Sequence, residues 1–541
     1  MSFLLDRFPI EILHIIFDYF WAHEILHSFF DISDYFDNIL SNYGRYRING
    51  QSITKSDFDF ICHFILPNQV ISLILSDEKE TPYQSELFFS DFQIHYYTRL
   101  RALKLIDLND DGQEIFMNLH HVQNLVSLEI NIRIDLPFIK QLPSLKKLII
   151  NIPSNIQFDI LPSISMVSFK YLQYFSLSYC TLTALQHFFR QMPQLKSFKT
   201  SLLFFNPEEL NELSHIHQIQ PTPVNLISFS LSINAPCLVE YRLLNGNRWE
   251  NFIIEHLPKL ANFDFKFFSG NVNHKILNQY RSSFWLNKHW YVAFNSNLSL
   301  LFTVPYFAPT SINNSCQPIP SNCTTLPIER HYLFYDRITA LTYELDKWNL
   351  PYRYNNIKKL TFNDPYMHEN IVNLSKVESF IVNTSDWLLN KIIILIKEEM
   401  PSVNYLRLNC SQPNVKYKYF SGISLPQIRT LSLPEYGRCK GKVKFYWWKL
   451  FPRVERLIVS INSKKQIPFL IDHFNKMISG FFVIHNDYFD MYDQIKITSQ
   501  WLKKNTCRLK RKNEHEFVCQ INDQFGFSLA LWISEDFEID E

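Results

Sequence analysis

Leu125-Val126-Ser127-Leu128-Glu129-Ile130-Asn131 is followed by Leu145-Lys146-Lys147-Leu148-Ile149-Ile150-Asn151, and both stretches carry one spacing of apolar residues, φ-x-x-φ-x-φ. The same spacing occurs earlier, at Leu100/Leu103/Leu105, and later at Leu172/Phe175/Leu177, Leu226/Phe229/Leu231 and Leu260/Phe263/Phe265. The second half of the chain repeats it at Ile338/Leu341/Tyr343, Ile357/Leu360/Phe362, Val377/Phe380/Val382, Val403/Leu406/Leu408, Ile428/Leu431/Leu433 and Val454/Leu457/Val459. A weaker copy, Leu195/Phe198/Thr200, ends on a polar residue.

The φ-x-φ end is the pattern of a short strand whose alternate side chains enter a shared core. One such unit cannot bury its own apolar edge, so neighbours must stack. Copies recur mostly about 19 to 34 residues apart, many near 25, which is the period of a leucine-rich repeat. The expected fold is therefore α/β: a solenoid, or horseshoe, with one parallel strand per repeat. Prolines keep the register. Pro143, Pro193, Pro258, Pro401, Pro426 and Pro452 each stand two residues before the first φ, where a proline ends the preceding helix and favours extended backbone. Asn131, Asn151, Asn363, Asn383 and Asn409 follow their strands.

The spacing is lost between Phe265 and Ile338. There Trp290–Phe294 and Leu298–Val304 read as two strands joined by a tight turn, and 305–327, rich in Pro, Ser, Asn and Thr, reads as a surface loop. It is lost again over 481–541, where Phe517–Ile521 and Phe527–Ile533 are expected to form a hairpin covering the last repeat. The resulting division is 1–45, a helical module; 46–98, a linker or N-terminal cap; 99–270 and 338–480, the two runs of repeats; 271–337, an irregular insertion or degenerate repeats; and 481–541, a C-terminal cap with an acidic tail.

The chain has 541 residues, 46% of them apolar, enough to bury a large core. Its formal charge of +1 argues against nucleic acid as the main partner, since phosphate binding needs a basic excess. Nine cysteines (62, 180, 237, 316, 323, 410, 439, 507, 519) are scattered without a CxxC pair, which fits a reducing compartment, cytoplasmic or nuclear. Phe3-Leu4-Leu5 is cut by Asp6, Arg7 and Pro9 and does not read as a signal core. The run Ile392–Ile396, bounded by Lys391 and Lys397, is too short to cross a bilayer. Glycine, at 10 residues, is too scarce for glycine-rich phosphate loops.

The stretch Phe8-Pro9-Ile10-Glu11-Ile12-Leu13-His14-Ile15-Ile16-Phe17-Asp18-Tyr19-Phe20 opens as a helix should, with Pro9 in the first turn and Glu11 at the positive end. A second amphipathic stretch follows through Ile25, Leu26, Phe29, Ile32, Phe36, Ile39 and Leu40. So small a unit cannot hide this much apolar surface within itself, and docking is expected. Phe8-Pro9-Ile10-Glu11-Ile12 with Ile16-Phe17-Asp18-Tyr19-Phe20 resembles the opening of the F-box family, with Phe for Leu at positions 8 and 20. Leu26, Phe29, Ile32, Ser33 and Phe36 resemble its second half, without the basic-aromatic ending. Joined to the downstream spacing, the chain resembles F-box/leucine-rich-repeat proteins. The resemblance implies a non-catalytic substrate receptor of a Skp–cullin–F-box ubiquitin ligase. Phe8, Pro9, Ile12, Ile16, Phe17, Phe20, Leu26 and Phe29 would face a Skp-type adaptor, and through it a cullin–RING ligase; the repeats would hold a protein substrate. The alternative is a leucine-rich-repeat scaffold without a ubiquitin role, whose first 45 residues pack on the repeats around Leu66–Leu75.

No catalytic residue, metal or cofactor is expected. His120-His121 and His215-x-His217 lack partners at ligand spacing, and Cys507, His515 and Cys519 lack a fourth ligand. Lys503, Lys504, Arg508, Lys510, Arg511 and Lys512 read as a solvated turn between edge strands or a targeting patch. An enzyme housed in 266–337 would need paired titratable groups that the spacing does not offer. The outward strand positions, Lys104, Glu129, Lys147, Ser176, Lys199, Ser230, Asp264, Thr361, Arg407 and Ser432, are mixed and mostly polar. They point to a protein ligand rather than a lipid.

Overall fold

In the computed structural model the repeated spacing becomes two long sheets, one of eleven strands and one of ten. The structure describes residues 7–108, 118–131, 142–151, 169–202, 223–233, 244–268, 274–295, 299–312, 323–343, 354–363, 372–384, 387–409, 422–434, 436, 447–484, 497–513, 516–522 and 528–534. The first sheet runs in chain order through β1 (Tyr46–Asn49), β2 (Val70–Ser76), β3 (Ala102–Ile106), β4 (Ser127–Asn131), β5 (Lys147–Ile150), β6 (Tyr174–Cys180), β7 (Ser197–Leu202), β8 (Ser228–Ile233) and β9 (Asn262–Phe268). All of these pair in parallel. The hairpin of β10 (Tyr291–Asn295) and β11 (Leu300–Val304) ends it, β11 lying antiparallel to β9.

The second sheet runs through β12 (Ser311–Ile312), β13 (Ala340–Tyr343), β14 (Lys359–Phe362), β15 (Ser379–Val382), β16 (Tyr405–Leu408), β17 (Thr430–Leu433), β18 (Arg456–Ile461) and β19 (Ser479–Ile484), again in parallel. The hairpin of β20 (Phe517–Asn522) and β21 (Ser528–Ile533) closes it, with β21 antiparallel to β19. Parallel strands stacked in sequence order are what the spacing requires. The single expected horseshoe is instead two arrays, because β10 and β11 turn back and cover the edge of β9. The segment 46–98, expected as a linker or cap, already supplies β1 and β2.

The proline-led repeats enter their strands in one way. The proline stands second in a four-residue turn: the N–H of Leu145 donates to the carbonyl of Leu142, Leu195 to Met192, Leu260 to Leu257, and Val403 to Met400, at 3.0–3.4 Å. Proline's fixed φ suits that corner, so it sets a turn rather than merely stopping a helix. Two successive N–H groups then reach one carbonyl of the previous repeat. Val126 and Ser127 both donate to Arg101, and Lys146 and Lys147 both donate to Val126. The relay continues to Ala261 and Asn262 in the first sheet, and from Thr310 to Ser479 in the second. The first φ of each unit lies buried beside this relay; Leu125, Leu195, Ile338, Val403 and Ile428 are fully enclosed. Thr200, the polar exception, is also buried and hydrogen-bonds the Cys180 thiol at 3.2 Å.

Asparagines after the strands form a ladder in the second sheet. Asn383 Nδ2 donates to Asn363 Oδ1, and Asn409 Nδ2 to Asn383 Oδ1, each at 3.1 Å. The next place is Pro434, which has no donor, and Asn409 Oδ1 is left buried without a partner among the described residues.

The N-terminal residues form α1 (Ile10–Phe17), α2 (Ala22–Phe29), α3 (Asp34–Asn42) and, after β1, α4 (Lys55–Phe64). They are not a separate module. One continuous core runs from Leu13 through Tyr43 and Tyr46 to Leu73 and Leu75. Gln69 Nε2 donates to the carbonyls of Ser41 and Tyr43, and Arg47 donates to the carbonyl of Asp18.

The two sheets meet at both ends. At one, Ala293 and Phe302 of the first hairpin share a core with Ile312 and Leu341 of the second sheet. At the other, α4 lies against β21: the rings of Phe58 and Trp532 are 5.5 Å apart, Lys55 sits over the same indole, and the hydroxyls of Ser56 and Ser534 are 2.9 Å apart. Arg456 donates to the carbonyl of Ser52, and Lys79 lies 4.4 Å from the Phe481 ring. The chain thus closes on itself.

Candidate functional site

Two kinds of surface can engage a partner: the outer face of α1 and the strand faces opposite the core. On α1, Leu13 and Phe17 point inward and are enclosed. The helix is apolar nearly all round, so a second apolar face remains outside. Phe8, Ile12 and Phe20 are each 41% exposed, Ile15 is 52% exposed and Tyr19 is 82% exposed. Tyr35 fixes the lead-in by donating to the carbonyl of Phe8 at 2.8 Å. Contiguous exposed apolar surface of this kind marks an interaction site.

Of the residues expected to face an adaptor, Phe8, Pro9, Ile12 and Phe20 are exposed, and Ile16 and Phe29 are half-buried. Phe17 and Leu26 are corrected to core. Each is at most 2% exposed, because α1 packs on α2 and on Tyr43 through them. Ile15 and Tyr19 were missed. The signal for a second apolar face was that Glu11, His14 and Asp18 make only a narrow polar stripe, too narrow to fill the side of α1 left outside by Leu13 and Phe17.

On the first sheet one line of side chains crosses the strands: Ile74, Lys104, Glu129, Ile149, Ser176, Lys199, Ser230 and Asp264. Lys147 is corrected to the neighbouring line, level with Ser127 and Tyr174; strict spacing assigns Ile149 to its place. Lys104 and Glu129 pair at 3.1 Å, and Lys199 sits over the Tyr306 ring. Ser230 is 6% exposed, so it does not present an outward hydroxyl as expected.

Asp264 lies beneath Thr303, whose hydroxyl is 3.5 Å from its carboxylate. Burial raises its pKa to about 6, opposed by that hydroxyl and by the Arg337 charge. The fold disfavours the charged form, so stability falls as pH rises through about 6 and is regained towards the ordinary carboxylate range. Because Asp264 keeps part of its hydration, Asp264→Asn is expected to stabilise the protein at pH 7.5 by only about 1–2 kcal/mol, and to change little below about pH 4. Melting curves at the two pH values check this.

On the second sheet the matching line is Thr342, Thr361, Ile381, Arg407, Ser432, Ile458 and Phe481. Ser432, expected outward, is 4% exposed. Arg407 is half-buried; its Nε is enclosed and has no hydrogen-bond partner among the described residues.

The His120 and His121 rings lie 3.8 Å apart, tilted by 42°, and His215, His217 and His515 lie outside the described residues. Among the described residues no group of three or more His, Cys, Asp or Glu could hold a metal. Cys507 is exposed, whereas the Cys519 thiol lies 3.2 Å from the Ser499 hydroxyl. The basic cluster is not an edge-strand turn. Lys503, Lys504, Arg508 and Lys510 sit on two short helices, Ser499–Asn505 and Cys507–Lys510, where Asp472 accepts from the Cys507 and Arg508 N–H groups; Arg511 and Lys512 follow them, and Lys512 is buried. A cavity lined by Ala293, Val304, Leu326, His331 and Phe334 holds about 10 Å³, room for one water. Among the described residues no helix is long and apolar enough to cross a membrane.

No family model matches the sequence, and no curated protein matches it. Twenty-one chains of solved structures match. One is an internalin from Listeria monocytogenes, 11% identical, aligned over 88% of this chain and 91% of that one with a TM-score of 0.21.

Proposed function

We propose that this chain is a non-catalytic adaptor: the strand faces hold a protein substrate, and the outer face of α1 docks on a Skp-type adaptor of a cullin–RING ubiquitin ligase. The observation that carries the proposal is the bare apolar face of Phe8, Ile12, Ile15, Tyr19 and Phe20 on a helix whose other side is locked into the core. The opening F-box-like residues, Phe8 to Phe20, fall on that helix and its two flanks. The chain would act by proximity, holding a substrate lysine near a charged conjugating enzyme and supplying no chemistry itself.

A second reading, a scaffold without a ubiquitin role, is favoured by the core shared between α1–α3 and β2, which is how a cap on the solenoid packs. Binding of the full chain to a purified Skp-type adaptor separates the two. Ile12→Asp with Phe20→Asp is expected to weaken that binding at least about 100-fold while leaving the melting temperature unchanged, since both residues face water. An intact chain that fails to bind the adaptor leaves only the scaffold.

A further inference from the structure

The row of residues one place before the strands is charged differently in the two sheets. In the second it reads Lys358, Glu378, Asn404, Arg429, Glu455, and the charges cancel: Lys358 pairs with Glu378 at 2.9 Å, and Arg429 pairs with Glu455. In the first it reads Arg101, Val126, Lys146, Gln173, Lys196, Ile227, each carbonyl receiving N–H groups of the next repeat, so the residues stand side by side. The turns and strand starts beside that row add Arg99, Lys147, Lys170 and Lys259. Across β3 to β9, the turns, the row and the first strand positions hold no Asp or Glu.

Arg99, Arg101, Lys146, Lys147 and Lys170 are exposed, and Lys196 is half-buried. Among the described residues none of the six is paired with a carboxylate. Lys259 is held by Asn225 Oδ1 at 2.9 Å, and Glu129, farther along β4, is taken up by Lys104. Like charges gathered along one edge repel, and the fold returns nothing for them. Within the row the cations fall on every second strand, roughly 9–10 Å apart. Between Lys146 and Lys196 the intervening repeat presents Tyr171, 64% exposed, and Tyr174, 47% exposed.

We propose that this open edge holds an acidic segment of a protein partner in the polyproline II conformation, with a carboxylate at every third residue. Such a chain rises about 3.1 Å per residue with three residues per turn, so every third side chain returns to one side after about 9.3 Å. That matches the step from Arg101 to Lys146 to Lys196. A β-extended peptide returns to one side after roughly 6.6 Å and falls out of step. Exposed tyrosines between the cations suit the prolines that favour this conformation. A nucleic acid is the poorer fit: the chain as a whole carries a formal charge of +1, and the Lys104–Glu129 pair ends the positive field at the strand face. The edge is separate from α1, so the proposal neither needs nor supports the docking of an adaptor there.

The test measures binding of the full chain at low ionic strength to a labelled peptide of repeated Glu-Pro-Pro. A peptide of the same composition with its glutamates together serves as the comparison. The repeated peptide should bind the more tightly, and salt should weaken it. Lys146→Glu with Lys196→Glu should weaken it at least about tenfold, and Tyr171→Ala with Tyr174→Ala at least about threefold. Lys359→Glu with Lys376→Glu, exposed residues at the second sheet, changes the net charge equally and should leave binding unchanged. These side chains are exposed, so the variants should melt with the parent. Absence of binding, equal binding of the two peptides, or equal loss in the second-sheet variant overturns the proposal. Tighter binding to phosphatidylserine-containing vesicles or to a single-stranded oligonucleotide overturns it as well, and makes the edge a lipid or nucleic-acid surface. None of these results bears on adaptor binding by α1.

Discussion

Replacing Trp532 by alanine is expected to cost about 3–5 kcal/mol, the range for emptying a buried aromatic site, and to separate the ends of the chain. Trp532 projects from β21 away from Leu529 and Leu531, and its ring lies against Phe58 of α4. It is 1% exposed and belongs to the core of the first sheet although its strand belongs to the second. Its loss leaves the buried Ser56–Ser534 and the exposed Arg456–Ser52 hydrogen bonds as the polar remainder of the join, and the net contribution of each is only about 0.5–1.5 kcal/mol. Amide hydrogen exchange should rise in α4 and in β21 together, although they are far apart in sequence. Trp532→Phe is the control. The indole Nε1 has no hydrogen-bond partner, so a smaller aromatic leaves no polar group stranded and should cost less than about 1.5 kcal/mol. Equal melting of the alanine variant and the parent would show that the join does not hold the ends.

Leu406→Ala is expected to cost about 2–5 kcal/mol. Leu406 is fully buried at the centre of β16, level with Phe380 on one side and Leu431 on the other. In a stacked array each unit is stabilised by its neighbours, so the damage spreads to the flanking strands first. Exchange should rise in β15 to β17 well before it rises in β3 to β5. Uniform loss of protection along both sheets would mean that the two arrays unfold as one cooperative block.

Much of this architecture was legible. An apolar residue at every first and fourth position and at the sixth can serve only one purpose when it recurs, and each described copy is core. The prolines marked the turns, and the terminal hairpin Phe517–Ile533 could be read from alternation. The register of β1 and β2 was there to be read, since Val70/Leu73/Leu75 carries the full spacing and Tyr43/Tyr46/Ile48 carries it with tyrosines, but both lie ahead of the first copy counted, Leu100/Leu103/Leu105. What sequence reading lost were features set by contacts between distant segments. The line of outward residues slipped at Lys147, where polarity was allowed to outweigh register. Ser230 and Ser432 look solvent-facing from alternation alone and are covered. On α1, an almost wholly apolar helix does not say which side meets its own chain, and only the placement of Tyr43 and α2 decides that Leu13 and Phe17 do.

The meeting of α4 with β21 has a consequence for how such a chain can change over generations. An open spiral can gain or lose a unit at little cost, since its tip simply moves. Here the circumference is fixed. Duplicating one strand-and-return unit, say Val377–Glu399, would carry Trp532 past Phe58 and leave both rings bare. The number of units is therefore held by geometry, and tolerated variation in length should be confined to the return segments between strands.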